Sequence, residues 1–76
     1  MLILYTKNNC RYCDDVKHAF SKHKISYEER NISNPEFLQQ VRSYGARTMP
    51  YLVDTSANVS MGESDEIIDY ALEGSF

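Results

Sequence analysis

A short apolar run near the start of the chain most limits the folds that are open to it. Residues 2–5 are all large and apolar, without a polar interruption. A strand with one face in water alternates polar and apolar residues, whereas a continuous apolar run indicates a strand that is buried on both faces. We therefore predict that this strand lies inside a sheet and that helices cover the faces of the sheet.

Three later segments have apolar residues at helical spacing and predict helices. The first runs from residue 10 to about residue 24, and its apolar stripe consists of Tyr12, Val16, Ala19 and Phe20. The second begins with Asn34 as its N-cap and stops at Gly45. The third begins at Ser64, which we expect to be its N-cap, and ends at Gly74.

Two further segments predict strands. Residues 26–32 are mostly polar, which indicates a strand near a sheet edge, and residues 51–61 predict a hairpin with its turn at residues 54–57. A helix between the first two strands requires a parallel crossover pair, whereas a hairpin is antiparallel. The prediction is an α/β fold with a small mixed sheet in the order βαβαββα, and residues 1–76 form one domain.

Composition and length exclude several classes of function. The 76 residues allow one small domain, and 8 Lys and Arg against 11 Asp and Glu give a net charge of −3. The chain lacks a basic cluster for nucleic-acid phosphates and an apolar stretch near the roughly 20 residues of a membrane helix. Its first residues lack the basic region and cleavage site of a signal peptide. We expect a cytoplasmic monomer that binds neither nucleic acid nor membrane.

The two cysteines, Cys10 and Cys13, lie three positions apart where the first strand meets the first helix. A disulfide that closes so short a loop stabilises a fold little, and secreted disulfide scaffolds have four or more cysteines. The pair is therefore either reactive or half of a metal site. A structural zinc site needs four ligands, and the remaining candidates are His18, which lies in the same helix, and His23. We expect no metal site.

The position of the pair favours reactivity. A cysteine at a helix N-terminus meets unpaired N–H groups and the positive end of the helix dipole, which stabilise the nucleophilic thiolate. Lys7 and Arg11 add positive charge, and the opposing acidic residues lie one turn further into the helix. We predict that Cys10 is the attacking residue and that Cys13 resolves the mixed disulfide formed on Cys10.

Two segments far along the chain add candidate ligand contacts. If the peptide bond before Pro50 is cis, the backbone of Met49 is free to pair with an extended peptide, whereas a trans bond makes Pro50 a plain strand start. The segment from Gly62 to Asp65 opens the last helix. Its N–H groups can receive a carboxylate and Asp65 can accept from an amine, or Ser64 acts as a helix cap and nothing more.

Together these segments resemble the glutaredoxin family over essentially the whole chain. The resemblance is carried by Tyr5-Thr6-Lys7, by Cys10 and Cys13 with Tyr12, by Gly45-Ala46-Arg47-Thr48-Met49-Pro50 and by Gly62-Glu63-Ser64-Asp65. It implies a thioredoxin-like fold, with a four-stranded mixed sheet, three helices and a cis peptide before Pro50. It also implies an enzyme, a glutathione-dependent oxidoreductase that reduces protein disulfides and glutathione mixed disulfides.

The resemblance further implies where glutathione binds, as a co-substrate and not as a permanently bound cofactor. Cys10 would form the mixed disulfide with it. The other implied contacts are Lys7, Tyr12, Arg42, Thr48, Met49, Pro50, Gly62, Ser64 and Asp65. The chain departs from the usual family pattern at Arg11, where a Pro is commonest, and at Glu63, where many relatives have a second Gly. Glu63 brings negative charge near a glutathione carboxylate.

Two alternative functions stay open. Small redoxins that are reduced by thioredoxin reductase and serve ribonucleotide reductase resemble this chain in size and cysteine placement, but they generally lack a contact of the Ser64-Asp65 type. Alternatively, two chains could bind an iron–sulfur cluster together with glutathione, with Cys10 as ligand. We predict glutathione as the reductant and protein disulfides as substrates, with that of ribonucleotide reductase as one candidate.

Overall fold

The computed structural model describes residues 1–74. The strands among them are β1 (Leu2–Thr6), β2 (Glu28–Asn31), β3 (Tyr51–Asp54) and β4 (Val59–Met61). The helices are α1 (Arg11–Lys22), α2 (Pro35–Ser43) and α3 (Ser64–Glu73). The predicted order βαβαββα is confirmed. None of these helices has the length and apolar character needed to cross a membrane.

The four strands form one mixed sheet in the order β2-β1-β3-β4. β1 runs parallel to β2 and antiparallel to β3, and β3 runs antiparallel to β4. Every residue of β1 is buried, which confirms the inner strand predicted from its apolar run. The polar strand β2 lies at an edge of the sheet, as its sequence predicts.

Successive side chains of β1 enter two different apolar clusters, one on each face of the sheet. The first cluster joins β1 to α1, α3 and β3, and its buried members are Leu2, Leu4, Val16, Phe20, Leu52, Ile67 and Ala71. The second includes both cysteines, and its buried members are Ile3, Tyr5, Cys10, Cys13, Val41, Met49 and Val53. The cysteines therefore pack on the face of the sheet that α2 covers through Val41.

The start of α3 differs from the prediction. The Ile67 N–H donates to the Glu63 carbonyl oxygen at 2.9 Å, so Glu63 is the N-cap and Ser64 is the first helical residue. This start places Ile67 in the first cluster with no exposed surface. The side chain of Glu63 makes no cap hydrogen bond, so α3 begins without the side-chain cap that Ser64 was expected to provide.

Two smaller differences have local causes. α1 is shorter than the predicted segment 10–24, because Cys10 is its N-cap and Lys24 has a φ of 55°, which no helix accommodates. β4 begins at Val59, since the preceding Asn58 has a φ of 53° in the hairpin turn. Asn is one of the few residue types that adopt this left-handed conformation readily.

A buried carboxylate at the end of β3 connects this strand to α3. Asp54 is 2% exposed. Its carboxylate accepts hydrogen bonds from the Tyr70 hydroxyl, with an O–O distance of 2.6 Å, and from the backbone N–H of Ser56, with an N–O distance of 3.0 Å. The hydrogen bond from Tyr70 is the main reason why the pKa of Asp54 lies below its ordinary value, although burial acts in the opposite direction. The charged form of Asp54 is therefore the one that the fold stabilises.

We expect Asp54→Asn to lower the free energy of unfolding by about 1 kcal/mol at neutral pH, because neutral hydrogen bonds replace charge-assisted ones. A carboxyl whose pKa is lower in the folded state stabilises the fold above its unfolded pKa of about 3.9. This contribution is lost as the pH falls through the folded pKa. Urea unfolding of the parent and the variant, from neutral pH into acid, measures this contribution. A difference in the free energy of unfolding that persists in acid would contradict a stabilising role of the charged Asp54.

Candidate active site

The two cysteines form a disulfide at the start of α1, with their Cα atoms 5.2 Å apart. Cys10 is the N-cap of α1, and its sulfur accepts the backbone N–H of Cys13 at 3.1 Å. In helices capped by Ser, Thr, Asp or Asn, a side-chain oxygen accepts this hydrogen bond. After reduction, a thiolate on Cys10 meets the same N–H and the positive end of the helix dipole, which favour it over the thiol.

The two sulfur atoms differ in access. Cys10 is 6% exposed, whereas Cys13 has no exposed surface and lies in the second cluster with Tyr5 and Val41. Of the two residues, only Cys10 has any exposed surface through which it can meet a disulfide from solution. This difference favours Cys10 as the attacking residue, and Cys13 as the residue that reacts with a partner already attached to Cys10.

The chain segment before β3 lies against the disulfide. The peptide bond between Met49 and Pro50 is cis, as the family resemblance implies. The sulfur of Cys10 lies 3.8 Å from the carbonyl oxygen of Met49, and both Met49 and Pro50 are buried. Because β3 begins directly after Pro50 and pairs with the inner strand β1, the sheet determines where this segment meets the cysteines.

A groove of about 570 Å³ lies beside this segment and brings together parts of the chain that are distant in sequence. Its lining consists of Lys7, Tyr12, Thr48, Met49, Pro50, Gly62, Glu63, Ser64 and Asp65. The lining includes every contact implied for glutathione except Cys10 and Arg42. Arg42 is an exposed residue in the last turn of α2 and does not line the groove. The structure thus assembles one cavity from three separate sequence segments.

Negatively charged side chains outnumber positively charged ones in the groove. Lys7 contributes one positive charge from the loop after β1, and Glu63 and Asp65 contribute two negative charges at the start of α3. All three side chains are exposed. The α3 side of the groove therefore attracts a cationic group and repels a carboxylate. Glu63 is not among the glutathione contacts that the family resemblance implies. Its position between two of them, Gly62 and Ser64, is the sequence signal that predicts its place in the groove.

Side chains of β2 hold the loop that leads to Cys10. The Asn31 side-chain amide donates to Asn8 Oδ1 at 3.0 Å, and the buried Thr6 hydroxyl donates to Glu29 Oε2 at 2.8 Å. Thr6 ends β1 and Asn8 lies inside the loop, so both hydrogen bonds fix the path of the chain toward Cys10. These positioning contacts were not predicted, because polar residues on an edge strand are normally solvated.

The histidines do not form a metal centre. Neither His18 nor His23 is buried. Within residues 1–74, no group of three or more His, Cys, Asp and Glu side chains is placed to hold a metal ion.

Comparison with known proteins places these features in a family. Residues 2–55 match the family model described as Glutaredoxin. The chain is 42% identical to "Glutaredoxin-like protein NrdH" of Lactococcus lactis subsp. lactis over 53 residues, which cover 68% of this chain and 74% of that relative. It is 31% identical to "Glutaredoxin 1" of Rickettsia felis over 80 aligned positions, which cover 96% of this chain and 74% of that relative.

Two solved structures agree with the fold. The NrdH-redoxin of Escherichia coli, described as a glutaredoxin-like protein with a thioredoxin-like activity profile, superposes with a TM-score of 0.74 at 26% identity. The match covers 87% of this chain and 88% of that one. The glutaredoxin of Brucella melitensis gives a TM-score of 0.67 at 27% identity and covers 96% of this chain and 79% of that one. The predicted thioredoxin-like fold is thereby confirmed.

Proposed function

The chain belongs to the glutaredoxin family, and we propose that this glutaredoxin-like redox protein reduces protein disulfides with electrons from a thioredoxin reductase rather than from glutathione. The observation that carries the dithiol chemistry is the asymmetric pair at the start of α1. Cys10 retains 6% of its surface exposed and accepts the Cys13 N–H, whereas Cys13 has no exposed surface. The proposed reductant differs from the one that the sequence first suggested.

The proposed reaction transfers two electrons. The Cys10 thiolate attacks one sulfur of the substrate disulfide, and the other substrate sulfur leaves as a thiolate and takes up a proton. Cys13 then loses its proton, attacks the sulfur of Cys10 and releases the second substrate sulfur as a thiol. This leaves the Cys10–Cys13 disulfide, the form that the structure contains. The reductase returns two electrons and two protons and completes the cycle.

Two observations support a thioredoxin reductase as the reductant. The chain is 42% identical to NrdH of Lactococcus lactis over 53 residues, and the NrdH-redoxin of Escherichia coli is described as having a thioredoxin-like activity profile. In addition, Glu63 places a negative charge in the groove that opposes the two carboxylates of glutathione. We propose protein disulfides as the substrates, with that of ribonucleotide reductase as the first to test.

Glutathione is the second candidate reductant, and the composition of the groove favours it. Lys7 offers a positive charge to the glycyl carboxylate, and Asp65 offers a negative charge to the amine of the γ-glutamyl group. Met49 lines the same groove, and its carbonyl oxygen lies 3.8 Å from the sulfur of Cys10. The similarity to Glutaredoxin 1 of Rickettsia felis also supports this candidate.

Exchange of the reductant tests the proposal. We expect insulin disulfides to be reduced with NADPH and thioredoxin reductase, and on the order of tenfold more slowly with NADPH, glutathione reductase and glutathione, which corresponds to one mismatched charge contact. Absorbance of NADPH measures both rates, and reactions without the redox protein give the background. Faster turnover with glutathione would reverse the order of the two candidates.

A substitution in the groove identifies the working reductant independently. If glutathione is the reductant, Asp65→Ala raises the KM for glutathione-containing substrates about fivefold, because a charge-assisted contact is lost. If thioredoxin reductase is the reductant, the same variant keeps the parent rate in that assay. Asp69→Ala is the matched control, since Asp69 is an exposed carboxylate of the same helix that does not line the groove.

A further inference from the structure

The aromatic side chain of Tyr51 lies next to the groove and contacts residues around it. Tyr51 is the first residue of β3 and directly follows Pro50 of the groove lining. It is half-buried, packs against the second cluster and is not itself part of the lining. No step of the proposed reaction uses it.

The ring of Tyr51 occupies the space beside Gly62. A Cβ atom built on Gly62 would lie 3.2 Å from Tyr51 Cδ1, which is tighter than most Cβ contacts, and 3.5 Å from Tyr51 Cε1, which is ordinary van der Waals contact. The φ of Gly62 is not positive, so its backbone conformation is open to other residues. A side chain at Gly62 would therefore require the Tyr51 ring to shift.

The hydroxyl of Tyr51 joins two other elements. Its oxygen lies 3.4 Å from the carbonyl oxygen of Tyr44, which follows α2, and 3.0 Å from Oγ of Ser60 in β4. With one proton to give, it can donate to the carbonyl of Tyr44 and accept from the hydroxyl of Ser60. The ring of Tyr44 also lies near, with the two ring centroids 6.4 Å apart.

These contacts place Tyr51 between the two sides of the groove. Pro50 lines the groove on the side of the disulfide, and Gly62 lines it on the side of α3. We infer that Tyr51 is a positioning residue that holds these two sides at the separation a polypeptide substrate requires. Tyr51 acts through Pro50 and Gly62 and does not touch the reacting sulfur atoms. This inference rests on the proposed function.

Kinetic constants of two substitutions test the inference. We expect Tyr51→Leu to raise the KM for insulin about fivefold and to change kcat less than twofold, because the groove binds substrate groups away from the sulfur atoms. Alkylation of reduced Cys10 by iodoacetamide should keep its parent rate, since α1 sets the environment of that sulfur. Tyr51→Phe retains the ring and should restore most of the lost affinity.

A double substitution tests the contact itself. Gly62→Ala in the parent should raise the KM, because the new methyl group displaces the Tyr51 ring. In Tyr51→Leu the same methyl group has room, so Gly62→Ala should then add little. An unchanged KM in both single variants, or fully additive effects in the double variant, would overturn the inference.

A matched control separates positioning from general stability. Tyr27 is another half-buried tyrosine, but its ring packs edge-on against Phe20 in the first cluster, with centroids 5.1 Å apart. Tyr27→Leu should lower the melting temperature and keep the parent KM, and an equal rise in KM would refute a specific role for Tyr51.

If the parent reduces no disulfide, the proposed function fails. Non-additive melting temperatures of the parent, the two single variants and the double variant then still test the contact between Tyr51 and Gly62.

Discussion

Cys10→Ser is expected to lower disulfide reduction by at least about a thousandfold with either reductant, since loss of an enzyme nucleophile has effects of this size or larger. A Ser hydroxyl is not ionised at neutral pH and cannot replace the thiolate. Cys13 cannot take over the attack, because its sulfur has no exposed surface and its surroundings are apolar. The rate of NADPH oxidation with insulin as substrate measures the loss.

The control for this variant is the reduced parent protein, because Cys10→Ser cannot form the disulfide. Both should have similar melting temperatures, which would show that the loss is chemical and not a failure to fold. The substituted serine side chain retains an oxygen that can accept the N–H of Cys13, so the start of α1 is preserved. Substantial turnover by Cys10→Ser would mean that an external disulfide contacts Cys13, and the proposed roles would then be wrong.

Features of the fold that depend on local sequence patterns could be predicted. The apolar run of β1 identified the inner strand, and the polar β2 identified an edge. Asn34 caps α2 through its side-chain oxygen, and Pro35 is the first helical residue. Each of these features follows from burial, periodicity or a cap within a few residues, so no knowledge of the tertiary structure is needed.

Features that depend on contacts between distant segments could not be predicted. Ser64 has the residue type of a helix cap, but α3 begins one residue earlier, with Glu63 as its N-cap and no side-chain cap hydrogen bond. Asn31 and Glu29 have an ordinary polar pattern, and only the folded sheet places them against the loop before Cys10. The contact of Tyr51 with Gly62 joins the two ends of a hairpin and has no local signature.

The cysteine motif alone also does not determine the reductant. Glutathione and a thioredoxin reductase react with the same pair of sulfur atoms, so the chemistry at Cys10 is common to both. The difference lies in what the groove binds beside the disulfide. Lys7 and Asp65 suit the ends of glutathione, whereas Glu63 opposes its carboxylates. These charges act in opposite directions. The reductant must therefore be identified by comparing the rates of disulfide reduction with glutathione and with thioredoxin reductase.

Cys13→Ser is expected to separate two reactions that Cys10→Ser abolishes together. Cys10 keeps its thiolate in this variant, since the backbone N–H of residue 13 still donates to its sulfur. Attack on a glutathione mixed disulfide needs only this thiolate, and a second glutathione in solution regenerates Cys10. Removal of glutathione should therefore continue at a rate comparable to that of the parent.

Reduction of a protein disulfide by Cys13→Ser should fall at least about a hundredfold, because the intramolecular attack of the resolving sulfur has a large effective concentration that no external thiol matches. The substrate should accumulate on Cys10 as a covalent complex, which mass spectrometry of the unreduced protein detects. Cys13→Ala is the companion variant, because it avoids a polar hydroxyl in an apolar site and should behave in the same way. Loss of both reactions in both variants would mean that Cys13 also supports the first attack. Parent-like reduction of protein disulfides without an accumulated complex would mean that an external thiol resolves the intermediate.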